Sequence, residues 1–232
     1  MKKIILLLSS LLLVQFATAQ VNIGARMGLN LGMFDMENKN IEEDYKMEPN
    51  SSILIKMDVD MPFSTVFSFR TGLGLVIKGA EIDGLPESKI HPDTNWSLLY
   101  RMNYLEVPLL LVARAETDFY GTFYFGAGPT LSLGVGGKMD LFAKHKDDGG
   151  QRQITEPIVW GNKPAPSDKL HNYNYFRRFD LGLGAMFSYQ LPRSGLAFTL
   201  SYNKALRNIS PNEGVDLKTS YVGLSIGFIM KN

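Results

Sequence analysis

Residues 179–190 read FDLGLGAMFSYQ, and the alternation in them is almost unbroken. Phe179, Leu181, Leu183, Ala185, Phe187 and Tyr189 fall on one parity, with Asp180, Gly182, Gly184, Met186 and Ser188 on the other. Period two belongs to a β-strand, whose side chains point to opposite faces. The second face carries glycine, which in a water-facing strand packs nothing and weakens the strand. That face is therefore short of space rather than open to solvent.

The same pattern returns seven times. VNIGARMGLNLG sets Val21, Ile23, Ala25, Met27, Leu29 and Leu31 against Gly24, Arg26, Gly28 and Asn30. SSILIKMDVD sets Ile53, Ile55, Met57 and Val59 against Lys56, Asp58 and Asp60. VFSFRTGLGLVIKG, NYLEVPLLLVAR, TFYFGAGPTLSLGVG, LAFTLSYNK and YVGLSIGFIM follow the same rule. The connections alternate between tight turns (61–65, 115–118 and 191–195) and long polar segments (35–50, 82–97, 137–175 and 208–217). Short, long, short, long is the mark of an up-and-down meander elaborated at one end.

Two eight-stranded designs share this alternation. One keeps its apolar face inside around a ligand; the other turns it outward to lipid. Glycine decides between them. An eight-stranded barrel has an interior just wide enough for side chains to fill, so its inward face needs small residues beside a few large ones. The polar face here mixes Gly, Ser and Thr with Arg26, Lys56, Asp58, Arg70, Lys78, Glu106, Arg178 and Asp180, a set suited to a charge network in a packed lumen. The expected fold is all-β: an eight-stranded antiparallel up-and-down transmembrane β-barrel. Strands of about ten tilted residues cross a bilayer core, and closure pairs every amide. Tyr104, Tyr120, Tyr189, Tyr202 and Tyr221 lie near strand ends, as interfacial girdles require. Pro108 and Pro129 fall within strands, where a missing donor predicts a bulge or a gap in the ladder.

The N-terminus supports export. Lys2 and Lys3, an apolar run from Ile4 to about Phe16, and Ala17-Thr18-Ala19 follow the order of a secretory signal peptide, giving residues 1–19 as signal and 20–232 as barrel domain. The chain has no cysteine, which excludes a lipid anchor on that residue, a disulfide or a thiolate metal site. Its formal charge of +1 gives no basis for nucleic acid as a partner.

NYLEVPLLL, FGAGPTLSLGVGG, RFDLGLGAMFSYQ, TLSYNKALRNIS and TSYVGLSIGFIMK resemble, in this order, the hallmarks of the PorT-like outer-membrane β-barrel domain family, of the porin-family or OmpA-type small barrels. The resemblance extends over nearly the whole chain after residue 19 and includes the in-strand prolines. It implies an eight-stranded meander in the outer membrane of a Gram-negative bacterium, and no single activity.

No catalytic, cofactor-binding or metal constellation emerges. The glycine pairs Gly72/Gly74, Gly126/Gly128 and Gly182/Gly184 neither continue as G-x-G-x-x-G nor open a helix, and Gly137-Lys138 lacks the rest of a P-loop. His91, His145 and His171 fall in long segments without metal-ligand spacing. Trp96, Trp160, Tyr173 and Tyr175 stand in otherwise polar loops and are candidate binding anchors. The expected function is a structural, surface-binding or assembly-assisting one, not enzymatic, with recognition carried by the long loops. Its partners would be outer-membrane lipid, the insertion machinery, and an extracellular ligand or envelope protein. The alternatives are a small-solute porin or channel and a loop-based hydrolase or acyltransferase.

Overall fold

The computed structural model describes residues 21–38, 46–83, 93–117, 120–145, 150–163, 174–212 and 214–230. The expected signal segment, together with His91, His171 and Tyr173, lies outside the described residues. The strands are β1 (Asn22–Asn38), β2 (Lys46–Pro62), β3 (Phe67–Lys78), β4 (Ala80–Asp83), β5 (Thr94–Pro108), β6 (Leu110–Thr117), β7 (Gly121–His145), β8 (Gln151–Pro157), β9 (Val159–Trp160), β10 (Tyr175–Phe176), β11 (Phe179–Gln190), β12 (Leu196–Ala205) and β13 (Val215–Met230).

The sheet returns on itself. β1 pairs with β2 on one side and β13 on the other. β2 pairs with β3 and β4, β3 with β5 and β6, and β7 with β5, β6 and β11. β11 then pairs with β12, and β12 with β13, every ladder in this ring being antiparallel. The expected eight uninterrupted strands are thus thirteen segments. A break at Leu109 splits one expected strand, β4 adds a segment beyond the expected end of another at Gly79, and the segment read as a 137–175 loop extends β7 and supplies β8, β9 and β10.

The break at Leu109 follows from Pro108. Pro108 faces Thr130 and Leu111 faces Ala127, so the register is the same on both sides and the defect is a gap, not an inserted residue. The Leu109 N–H bridges it by donating to the Pro129 carbonyl at 2.9 Å. β7 itself runs unbroken through Pro129, which faces Leu183.

Residues 23–31 of β1, 123–133 of β7, 179–189 of β11 and 222–230 of β13 carry the exposed apolar side chains on alternate positions. Leu29 and its ladder partner Leu224 remain 65% and 64% exposed. These stretches match the 9–11 residues with which a tilted strand crosses a hydrocarbon layer. On the other parity lie Lys56, Asp58, Asp60, Arg70, Lys78, Glu106 and Asp180, all buried. A soluble sheet would reverse this arrangement, because exposed apolar area on such a scale is costly in water.

Above this belt the arrangement does reverse. Inward side chains become apolar (Phe34, Ile82, Leu98, Tyr100, Met102, Met139, Leu141 and Leu217 form one buried cluster), while Asp35, Lys138 and Lys144 face out. β5 keeps its even-numbered residues inside along its whole length. β7 does not: Tyr104 faces Gly134 and Asn103 faces Gly136, so Val135 is an extra residue. This β-bulge moves the inward set from even positions (Thr130, Ser132) to odd ones (Met139, Leu141). The belt faces a lipid-like medium, and the rim is built as a water-soluble protein is.

Candidate functional site

Within the belt the inward charges meet in pairs. Lys56 Nζ lies 2.5 Å from Glu106 Oε1, to which the Tyr221 hydroxyl also donates at 2.7 Å. Lys78 Nζ stands 3.4 Å from the second Glu106 oxygen and 3.3 Å from Asp180 Oδ2. Ser132 donates to Glu106 at 3.3 Å, and Thr219 donates to Asp180 at 3.2 Å. Lys78 also lies over the Tyr104 ring, 4.9 Å from its centroid. Towards the end of the barrel that carries the short turns, Arg26 pairs with Asp58 at 2.7 Å and Arg70 with Asp60 at 3.0 Å. The Arg70 guanidinium stacks over Tyr124 at 4.7 Å.

Of the eight charges expected in the lumen, seven meet there and one does not. Arg178 precedes β11, is exposed, and contributes only its carbonyl, which accepts the Gly134 N–H at 2.7 Å. Asp60 takes a place in the set that the sequence reading did not give it, although its inward parity was the signal. The exchange balances the lumen: Arg26, Lys56, Arg70 and Lys78 against Asp58, Asp60, Glu106 and Asp180. Unpaired charge in so dry an interior would be far more costly than paired charge. The inward glycines make room for this filling. A Cβ on Gly74 would lie 2.7 Å from the stem of Lys56, and one on Gly184 2.8 Å from the Thr130 methyl.

Tyr104 and Tyr221, expected in interfacial girdles, are instead wholly buried among these charges. Inward parity overrode their position near strand ends. Tyr120 and Tyr202 are exposed, and the Tyr189 hydroxyl donates to the Tyr120 carbonyl at 2.6 Å. Beside them, the Phe123 and Tyr189 rings stack at 4.9 Å.

The loop anchors are also largely internal. Trp96 and Trp160 are half-buried against the apolar cluster of the rim, and Tyr175 is half-buried in β10. Trp160 sits edge-on to Tyr104 at 5.4 Å and packs towards Phe176. Its seat is Gly134, where a Cβ would stand 2.5 Å from the indole ring. The β9–β10 pair and residue Ile209 thus lie over the charged layer: Arg177 N–H donates to the Ile209 carbonyl at 2.7 Å, and Ile209 N–H to Leu217 at 2.9 Å. Gly134→Leu should displace the indole and destabilise by about 1–3 kcal/mol. The check is tryptophan emission, expected to shift to the red; an unshifted spectrum would mean the ring has other room.

On the outer face of the rim, Asp140 accepts hydrogen bonds from Thr155 at 2.6 Å and Gln153 at 3.1 Å, and pairs with Arg101. Burial pushes its carboxyl up, but the bonds from Thr155, Arg101 and Gln153 outweigh this and hold it below its ordinary value. A depressed carboxyl stabilises the fold above its unfolded pKa, and that stabilisation is lost as pH falls through the folded value. The protection of β7–β8 amides, measured against their intrinsic exchange rates, should therefore fall on acidification below the usual carboxylate range, and Asp140→Asn should flatten the dependence. An identical pH profile in the variant would refute this. Among the described residues no group of histidine and carboxylate side chains could hold a metal ion. His145 ends β7 opposite Thr94.

A closed antiparallel sheet with an apolar belt outside and paired charges inside defines an outer-membrane type of β-barrel. The sequence confirms the class: the family of the outer membrane protein beta-barrel domain matches residues 15–210, and the chain belongs to it. It is an outer-membrane β-barrel protein. The outer membrane protein OprG from Pseudomonas aeruginosa has a similar structure, with a TM-score of 0.51, 10% identity, and 92% of this chain and 98% of that one covered. Ail, the attachment invasion locus protein of Yersinia pestis, aligns with a TM-score of 0.40, 13% identity, and coverage of 91% and 99%. At such identity OprG shares the fold and nothing more is carried over. A search of curated proteins gave no match.

Proposed function

We propose that this protein is a non-conducting barrel whose rim serves surface recognition. The thirteen segments then act as eight staves: β3 and β4 form one, β5 and β6 another, and β8 to β10 elaborate the rim. Five PorT-like motifs in order support that finer placement, with residues 1–19 acting as a cleaved signal peptide. Both ends of the barrel chain would face the periplasm and the rim would face outward. Lipid and the insertion machinery are its obligate partners, and an envelope protein or extracellular ligand meets the rim.

The observation that carries this reading is the Lys56–Glu106–Lys78–Asp180 network, with side chains from β2, β3, β5 and β11 meeting in the lumen. A conducting pore needs a continuous wet path, whereas these paired side chains fill the lumen beneath the Trp160 and Phe176 cap. Planar-bilayer recording is the test. The purified protein should leave the membrane silent; steady single-channel steps would establish the porin reading.

A further inference from the structure

Among the described residues, β8 is the one member of the main sheet with a single partner. It pairs with β7 from Gln151 opposite Lys144 to Pro157 opposite Lys138. Ile158 continues this register, its N–H donating to the Gly137 carbonyl at 3.1 Å. Even-numbered residues therefore turn their backbone groups towards β7, and Gln151, Gln153 and Thr155 turn theirs to the open side. The open edge has a defined end: Pro157 has no N–H, and its carbonyl accepts the Asn174 amide at 3.1 Å. Residues 151–155 are exposed, and Ile154 is 50% exposed. Natural sheets guard such edges with lysine, proline or a bulge. On β8 the guards are Arg152, Glu156 and the closing Pro157, so a strand that adds to this edge must match those charges.

The geometry points to a second copy of this chain as the strand that completes this edge, presented from an apposed membrane. The proposal rests on the reading of the rim as a recognition surface and names its partner. The sequence of β8 is self-complementary when run antiparallel about Ile154. Gln153 and Thr155 of one copy then exchange backbone hydrogen bonds with Thr155 and Gln153 of the other. On the neighbouring face Arg152 comes opposite Glu156, Ile154 opposite Ile154, and Glu156 opposite Arg152. Each of these cross-strand pairs is favourable, and opposite charges set directly across a ladder contribute more than exposed pairs elsewhere.

The direction of pairing determines where the two copies stand. A two-fold axis relating antiparallel strands is perpendicular to their sheet. β8 extends the barrel wall through β7, and that wall stands upright in the membrane. The axis therefore lies in the membrane plane, and the two barrels point in opposite directions. Copies side by side in one membrane would have to pair in parallel, and the two-fold along the strands that this requires sets the charges of the two copies on opposite faces of the sheet. Neither Arg152 nor Glu156 then finds an opposite charge across the ladder. The edge is thus suited to joining two surfaces that carry the same protein.

The test uses full-length protein in phosphatidylcholine vesicles, with clustering followed by turbidity. Wild-type vesicles should cluster. Arg152→Glu and Glu156→Arg vesicles should each cluster at least about tenfold more weakly, since each change turns two attractions into two repulsions. Mixing the two variant populations should restore clustering, because every pair across the mixed interface is again of opposite sign. Both positions lie at the rim, and the heat-dependent gel shift of the folded barrel should be unchanged in each. Dispersed wild-type vesicles, single variants that cluster normally, or a mixture that fails to recover would each overturn the proposal. Dye retention in the same vesicles separates this from the broader reading: leakage would refute a closed barrel, whereas sealed, dispersed vesicles would refute only the homotypic edge.

Discussion

Glu106→Leu is expected to lower the stability of the folded barrel by about 3–5 kcal/mol, read as a large drop in the urea midpoint in vesicles. Glu106 is fully buried, and its two oxygens serve Lys56 and Lys78, with Tyr221 and Ser132 donating as well. Removing it leaves Lys56 without its carboxylate in a space that water does not reach, while Lys78 retains Asp180. The cost lies in the orphaned cation rather than in the lost attraction. Lys56→Met added to Glu106→Leu should therefore recover much of the stability. A single variant with an unchanged midpoint, or a double variant no better than the single, would show that the network does not work as described.

The second large effect belongs to the outer face. Leu224→Arg places a cation within the belt, beside Leu29 on one strand and Leu200 on the other. A charge near the bilayer midplane costs about 2–4 kcal/mol in barrels of this kind. Leu183 is also outward and 52% exposed, near the middle of the 179–189 stretch of β11 and opposite Pro129 of β7. Leu183→Arg should therefore carry a similar cost of about 2–4 kcal/mol. Folding titrations in phosphatidylcholine vesicles would measure both. A neutral result at either site would mean that its side chain does not face the belt.

The alternation of FDLGLGAMFSYQ and its seven counterparts was legible because each strand obeys one rule over many residues. Leu29 and Leu224 lie outside, and Gly74 and Lys56 inside, as period two requires. Legibility ended where the rule changed partway along a strand. The LGVGG run hides the bulge at Val135, and a single inserted residue exchanges the two faces of everything above it. The 137–175 segment therefore looked like a polar loop when its inward half builds an apolar cap. Arg178 was misplaced because β11 begins one residue later, at Phe179. Pairing partners were beyond reach for a different reason. Whether Lys56 meets Glu106 depends on the stagger between strands and on distance across the lumen, neither of which is written in the pattern of any one strand. Trp160 shows the same limit: an aromatic in a polar stretch marks an anchor, but only the bare backbone of Gly134 tells which way it points.

The first and last strands of the ring, β1 and β13, pair from Ile23 and Met230 to Asn38 and Val215. Until that seam zips, Tyr221 and Thr219 cannot reach the acids contributed by β5 and β11. An incompletely wrapped sheet would leave Lys56, Glu106, Lys78 and Asp180, drawn from β2, β3, β5 and β11, in half-solvated positions. Assembly of this protein is thus a matter of circumference: intermediates are penalised until the final edge meets the first, and the finished cylinder should come apart in one cooperative step.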